Sequence, residues 1–167
     1  CTNFDDTGRD KQIPITPTCP RYFENFKNGF SDRWKVVDPK DYLDGPSIWK
    51  VDSDYEFREL VLTQNSLVYG SSDNQEGTMF ILTDMKMECN VGKMAIKFKA
   101  LDEGIVGIVF RFEKSIDGEN NFYIFEISGD PNDKFIRIRK RMNGVWSLVS
   151  VNPLLGYKKN SWLRVSM

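Results

Sequence analysis

Three arginines at every second position form the densest set of side chains that could bind an anion: Arg137, Arg139 and Arg141. Because side chains alternate between the two faces of a strand, these three share one face, while Ile136 and Ile138 occupy the other. The planar guanidinium suits sulfate, carboxylate or phosphate. We therefore expect the arginines to point outward and to bind an anionic glycan or an acidic protein surface. The alternative is a solvated strand face balanced by cross-strand glutamates.

A second candidate ligand site combines Arg111, Asn121 and Tyr123. Arg111 lies between two phenylalanines and is expected to point away from their face. Tyr123 and Asn121 belong to the next strand, so the three could line a shallow polar groove, since a ligand site needs a few convergent polar groups. The alternative is a buried Arg111 paired with Glu126 or a neighbouring carboxylate.

Three aspartates in one loop, Asp38, Asp41 and Asp44, are the candidate metal ligands. Calcium prefers carboxylate and carbonyl oxygens, which such a loop supplies. Aspartates also favour turns simply by hydrogen-bonding to their own backbone. The loop does not match the EF-hand pattern.

Two tryptophans on predicted strands, Trp34 and Trp49, could provide a stacking platform for sugar rings. Packing in the core is the alternative. The chain contains no histidine, which excludes a Ser-His-Asp or Cys-His nucleophile and an imidazole zinc site built from this chain alone. Hydrolysis by two carboxylates stays open.

The overall charge and hydropathy narrow the range of partners. The formal net charge is −1, which argues against nucleic-acid binding. The sequence lacks an apolar run of the length that a membrane-spanning helix needs, so direct membrane insertion is not expected.

Many short strands separated by turn residues predict an all-β protein, an antiparallel β-sandwich or jelly roll. Residues 1–20 contain three prolines and are predicted to be an extended lead-in, and 21–167 the β-sandwich domain. Strands are expected at 21–26, 34–38, 48–51, 59–64, 78–84, 85–88, 93–100, 105–112, 122–128, 135–141, 145–151 and 162–166.

Two stretches show the strand pattern most clearly. In 93–100, Met94, Ile96, Phe98 and Ala100 are expected to face the core, and the lysines between them to face water. In 105–112, one face is expected to hold the apolar residues Val106, Ile108, Phe110 and Phe112. Asp117-Gly118 and Asn143-Gly144 predict hairpin turns.

The three cysteines, Cys1, Cys19 and Cys89, lack zinc-site spacing. In a secreted protein we expect Cys19 to pair with either Cys1 or Cys89, leaving one thiol or one bond to a partner. Three reduced thiols in a cytosolic protein are the alternative. The chain begins at a cysteine rather than a methionine, which suggests a processed or excised piece.

Several phrases occur in one order along 21–167: DRWKVVD (32–38), DGPSIWKV (44–51), Glu59-Leu60, Thr63-Gln64, Glu76-Gly77-Thr78, GIVFRF (107–112), NFY (121–123) and SWLRV (161–165). This order resembles the laminin-G-like, concanavalin-A-like lectin and glucanase jelly rolls, nearest in pattern to the thrombospondin C-terminal lectin-like domain. The resemblance implies two packed antiparallel sheets, frequent structural calcium, and glycan or protein binding in extracellular proteins.

The sequence departs from this family pattern in two respects. The Glu-x-Asp-x-x-Glu strand of the glucanase relatives is missing, so the resemblance favours a non-enzymatic member. The family usually continues for one or two strands beyond the position of Met167, so either the domain is truncated or a partner chain completes the sheet. We therefore expect a secreted or cell-surface recognition and adhesion module. The alternatives are a structural scaffold in a larger assembly and a carboxylate-dependent carbohydrate-active enzyme.

Overall fold

A computed structural model describes residues 22–39, 46–56, 58–65, 77–82 and 93–166. Cys1, Cys19, Cys89, Asp41, Asp44, Met167, the lead-in 1–20 and the strand predicted at 85–88 lie outside the described residues. The described residues form antiparallel strands and no helix, so the all-β prediction is confirmed. The chain divides into two compact units, Cys1–Gly92 and Lys93–Met167.

The described part of the first unit contains two antiparallel strand pairs. Strand β1 (Trp34–Val37) pairs with β4 (Met79–Leu82), and β2 (Trp49–Asp54) pairs with β3 (Glu59–Gln64). The strand predicted at 21–26 is wrong over residues 22–26, which form a loop. The side chain of Glu24 explains this loop, because its carboxylate accepts hydrogen bonds from the backbone N–H groups of Asn25 and Phe26, which a strand would direct to a neighbour.

The second unit contains six strands: β5 (Ala95–Lys99), β6 (Ile105–Lys114), β7 (Asn120–Ser128), β8 (Ile136–Met142), β9 (Val145–Asn152) and β10 (Trp162–Ser166). Strands β6-β7-β8-β9 form one antiparallel sheet in chain order, and β10 pairs with β5 in a second. Asn143 and Gly144, at φ 50° and 79°, make the predicted turn between β8 and β9. Gly118, at φ 80°, lies in the predicted turn between β6 and β7.

The core of the second unit lies between these two sheets. Ile108 and Ile127 of the larger sheet pack against Val165 of β10 and against Tyr157 in the loop before it. The remaining members of this core are partly buried: Met94, Phe98, Ala100, Val106, Phe125, Ile136 and Leu163. The predicted core face of 93–100 is therefore confirmed at Met94, Phe98 and Ala100. Ile96 shares this face, directly opposite the core residue Val165, but is 43% exposed.

An irregularity in β6 corrects the expected position of Phe112. Phe110 pairs with Tyr123, but the next paired residue is Glu113, opposite Asn121, so β6 holds one extra residue there. Arg111, at φ 53°, forms this bulge. As a result Phe112 stacks on Phe122, on the other face of the sheet from Phe110. The expectation that Phe110 and Phe112 share a face is wrong.

Candidate functional site

The arginines of β8 lie on one face, as the alternation predicted, but two of them are buried. Arg139 is 7% and Arg141 8% exposed, so the expectation that all three point outward is wrong. Strand β8 is an inner strand of its sheet, so its neighbours on both sides contribute side chains to the same face. From β7, Glu126 lies directly opposite Arg137.

The buried arginines belong to an internal ion-pair network. Arg139 Nη2 and Nε donate to Glu126 Oε1 and Oε2 at 2.6 and 2.7 Å, and Arg137 Nε donates to Glu126 Oε2 at 2.6 Å. Arg139 also lies over the ring of Trp146, 4.0 Å from its centroid. Arg141 donates to the backbone carbonyl of Asn120 and to the carboxylate of Glu119. Each of these arginines therefore has at least one partner inside the unit.

The structure does not bring Arg111, Asn121 and Tyr123 together into a groove. Tyr123 stacks on Phe110, with ring centroids 5.6 Å apart, so it lies on the Phe110 side of the sheet. Asn121 accepts a hydrogen bond from the backbone N–H of Asn143 at 2.7 Å and thereby supports the β8–β9 turn. Among the described residues, the exposed Arg111 makes no hydrogen bond or ion pair with either. Glu126, the alternative partner, binds Arg137 and Arg139 instead.

Asp38, the described member of the proposed calcium set, joins three strand ends of the first unit. Its carboxylate accepts hydrogen bonds from the backbone N–H of Ser47 at 3.0 Å and the hydroxyl of Thr78 at 2.7 Å. Trp49 Nε1 donates to the hydroxyls of both Ser47 and Thr78 at 3.1 Å. Burial alone raises the pKa of Asp38, but the hydrogen bonds from Ser47 and Thr78 outweigh it and leave the pKa below its ordinary value.

This network gives Asp38 a structural role, because both carboxylate oxygens already have partners. Within the described ranges, no group of three or more cysteines and carboxylates could hold a metal. Since Asp41 and Asp44 lie outside those ranges, structural calcium stays a prediction.

Trp34 and Trp49 both stack on the ring of Phe80. The ring centroids are 4.8 and 5.2 Å apart, with interplanar angles of 9° and 21°. Phe30 meets Phe80 edge-on, and Glu24 accepts a hydrogen bond from Trp34 Nε1. The two indoles are partly buried and pack against protein rings, which is the core-packing alternative to a sugar platform.

The outer surface of the β5–β10 sheet carries a set of side chains that the sequence pattern does not predict to lie together. The pairing places Lys97 opposite Arg164 and Lys99 opposite Trp162, all on the face away from the core. We call these four residues the cationic face. The ammonium of Lys97 lies 4.8 Å from the ring centroid of Trp162. Alternation predicted outward lysines in β5, but only the pairing of strands far apart in the chain adds Arg164 and Trp162.

An apolar groove of about 360 Å³ lies on the other side of β10, within the second unit. Its floor is the larger sheet, and its walls are β10 and the loop before it. The lining residues are Phe125, Ile127, Ile136, Leu155, Gly156, Leu163, Arg164, Val165 and Ser166. We call this the β10 groove.

Comparison with known proteins adds no relative: no family model matches the chain, and no curated protein or solved structure matches it either. The described residues include no helix that is long and apolar enough to cross a membrane.

Proposed function

We propose that this chain is a non-enzymatic recognition module of the secreted or cell-surface type, with a concanavalin-A-like jelly-roll arrangement, that binds an acidic glycan through its cationic face. The observation that carries the proposal is the composition of this face. Three cations share this face with one indole, and neither β5 nor β10 contains an acidic residue.

The spacing of these charges suits a linear polyanion. Lys97 and Lys99 are two residues apart on one strand, so their backbone positions are about 6.6 Å apart. Arg164 and Trp162 lie across the strand pair, with Cβ atoms roughly 5 Å from those of their partners. A sugar chain that carries sulfate or carboxylate groups at regular intervals can contact these cations in succession. Arginine supplies a two-pronged donor and lysine a point charge.

The pairing of β5 with β10 does not by itself explain this arrangement. Arg164 and Lys97 are directly opposite each other, and like charges in that position destabilise a strand pair. An anionic ligand lying along the face would replace this repulsion between like charges with attraction. Binding therefore accounts for a residue choice that strand pairing alone disfavours.

Trp162 favours a glycan over an acidic protein surface. Its indole is partly buried on the same face as the three cations, and aromatic rings pack against apolar C–H surface. A sugar ring with anionic substituents offers apolar and anionic groups together. The two-carboxylate enzyme draws no support from Glu126, because both of its carboxylate oxygens are bound by arginines.

Binding of the full chain to a heparin-derived octasaccharide tests the proposal. We expect saturable binding by calorimetry at low salt, with an affinity that falls as salt rises because the contacts are ionic. Replacing both lysines (Lys97→Gln with Lys99→Gln) should weaken binding about tenfold, since each exposed charge contributes modestly. The matched control, Lys27→Gln with Lys114→Gln, removes the same charge elsewhere and should leave the affinity unchanged.

Two further probes identify the class of ligand. Polyglutamate of matched charge should bind more weakly than the octasaccharide, and Trp162→Phe should reduce only octasaccharide binding, because polyglutamate lacks a sugar ring. Equal binding of both probes, insensitive to Trp162→Phe, would assign the face to an acidic protein instead. Tighter binding of oligothymidine would assign it to nucleic acid, and no binding by any polyanion would overturn the proposal.

A further inference from the structure

We propose that the β10 groove is a docking site for an extended segment of a protein partner, which adds as a strand to the edge of β10. This segment carries apolar side chains at alternate positions and acidic side chains between them. The site shares Arg164 with the cationic face but is otherwise distinct from it, because inward-facing Leu163 and Val165 line the groove while Lys97 and Lys99 point outward from the neighbouring strand.

The lining of the groove places it along the backbone edge of β10. Four consecutive residues of β10, 163–166, line it, although their side chains alternate between the two faces of the strand. The lining includes no residue of β5. The groove therefore runs along the side of β10 that faces away from β5. In the described part of the chain, β5 is the one strand hydrogen-bonded to β10.

Among the described residues, the two sheets of the second unit differ in width, and apolar surface lies beside β10. The larger sheet has four strands and the smaller has two. Phe125, Ile127 and Ile136, from two strands of the larger sheet, form the floor of the groove, and Ile127 and Ile136 are neighbours in the pairing of β7 with β8. A strand added to β10 would place its inward side chains over this floor, as β10 itself places Leu163 and Val165.

The chemistry of the walls specifies the occupant. Apolar side chains fit the floor and the exposed Leu155, which is 51% accessible. The outward-facing side chain at the rim is Arg164, so the added strand would meet a cation on its outer face. Opposite charges across neighbouring strands are favourable, which selects acidic residues at the alternate positions. A partner segment of this kind would bind through backbone hydrogen bonds to β10, and its side chains would determine the specificity.

The test uses the full chain and a capped eight-residue peptide that alternates valine and glutamate. We expect saturable binding and, on binding, slower amide hydrogen exchange in β10. Leu155→Asp, which puts a charge into the groove, should weaken binding about tenfold. The matched control is Leu154→Asp, because Leu154 is 83% exposed and does not line the groove. This control should bind as the unmodified chain does.

Two N-methylated forms of the peptide separate strand addition from simple apolar contact. In an added strand, the N–H groups of every second residue point to β10, and the others point away. N-methylation of either the valines or the glutamates should therefore abolish binding, while the other form still binds. Equal binding of the two forms, or no binding of the parent peptide, would overturn the proposal. A dimer in sedimentation that Leu155→Asp dissociates would assign the groove to a second copy of the chain and also overturn it.

Loss of this interaction leaves the cationic face intact. Leu155→Asp should not change octasaccharide binding, and Lys97→Gln with Lys99→Gln should leave the dependence of peptide binding on the N-methylation pattern unchanged. The failure of one proposal is therefore distinguishable from the failure of the other.

Discussion

Glu126 and Arg139 form a two-pronged ion pair, with hydrogen bonds of 2.6 and 2.7 Å, at a place where both side chains are buried. The pair joins the two central strands of the four-stranded sheet. Arg137, whose side chain is 22% exposed, donates to the same carboxylate. One carboxylate thus fixes the position of two guanidinium groups.

Removal of this carboxylate should strongly destabilise the fold. Glu126→Ala leaves the buried Arg139 without its carboxylate, so we expect a loss of about 3–5 kcal/mol in the free energy of unfolding, measured by urea denaturation. Glu126→Gln should give a smaller loss, because the amide keeps one acceptor oxygen. The control is Glu103→Ala, which breaks the exposed Glu103–Lys159 pair and should lose less than about 1 kcal/mol. A loss as small as the control's would contradict a structural role for Glu126.

The sequence predicts the alternation of β8 but not which of its faces is buried. Alternation correctly separates Ile136 and Ile138 from the arginines. Arginines are ordinarily exposed, so the pattern suggested a solvated face. The outcome depends instead on pairing: β7 brings Glu126 opposite Arg137, and β9 brings Trp146 opposite Arg141. A buried charge is stabilised when such partners lie next to it. The sequence of β8 alone does not predict these partners, because they belong to the neighbouring strands.

The same limit applies to the candidate sites. A period of two holds in β6 only up to Phe110, because the extra residue Arg111 moves Phe112 to the other face. A positive φ at an arginine has no sequence signature, since the turn signals are Gly, Asn and Asp. The sequence predicts only part of the cationic face. The outward lysines follow from alternation, but their pairing with β10 connects residues 63 to 71 positions apart and needs the three-dimensional structure.

A methyl group added at Gly129 should destabilise the core of the second unit. The Cβ of an alanine there would lie 2.4 Å from the Cζ atom of Tyr157, whose ring packs edge-on against Phe98. We expect Gly129→Ala to lower the free energy of unfolding by about 2–3 kcal/mol, because neither ring can move without disturbing the packing. The shorter side chain of Tyr157→Leu should relieve the clash, so Gly129→Ala should cost less in that background.

Gly77→Ala is the matched control for this steric effect. A Cβ at Gly77 would meet no atom within 4 Å. The substitution should leave stability unchanged or raise it by up to about 1 kcal/mol, since alanine restricts the unfolded chain. A similar loss for both variants would indicate a general backbone effect and contradict the proposed clash.

The hydrogen bonds to Asp38 should make the first unit less stable in acid. The folded pKa of Asp38 lies below the ordinary value of 3.8, so its stabilisation is present above that pH and is lost as the pH falls through the folded pKa. Asp38→Asn places an amide where two donors converge and should cost about 1–2 kcal/mol at pH 7. Urea denaturation should show the gap between the two proteins narrowing below pH 3.8.

Thr78→Val tests whether this effect runs through the 2.7 Å hydrogen bond to Asp38. In the unmodified chain the valine removes a donor to a partly buried carboxylate. In the Asp38→Asn background that interaction is already impaired, so Thr78→Val should cost less there. Two results would show that the hydrogen bonds do not stabilise the carboxylate. One is that the losses in unfolding free energy of the two substitutions add in the double variant, and the other is a difference between Asp38→Asn and the unmodified chain that does not change with pH.

At high pH, Tyr157 should control the stability of the second unit. Burial, and then the nearby carboxylates of Asp102 and Glu103, raise the pKa of Tyr157 from 10.0 to about 12. Its stabilising contribution is therefore complete below pH 10 and is lost as the pH rises through 12. Two pKa units correspond to about 2.7 kcal/mol at most, which is a large share of the stability of a small fold.

Tyr157→Phe should be less stable than the unmodified chain at neutral pH and more stable at alkaline pH. The phenylalanine keeps the ring but loses the 2.9 Å hydrogen bond to the carbonyl of Gly104, which should cost about 1 kcal/mol at pH 7. Because phenylalanine does not ionise, this variant escapes the alkaline loss, and the two curves of unfolding free energy against pH should cross between pH 10 and 12. Urea denaturation at intervals from pH 7 to 12, followed by tryptophan fluorescence, measures both curves. Parallel curves over this range would mean that the hydroxyl of Tyr157 ionises as easily in the folded protein as in the unfolded chain.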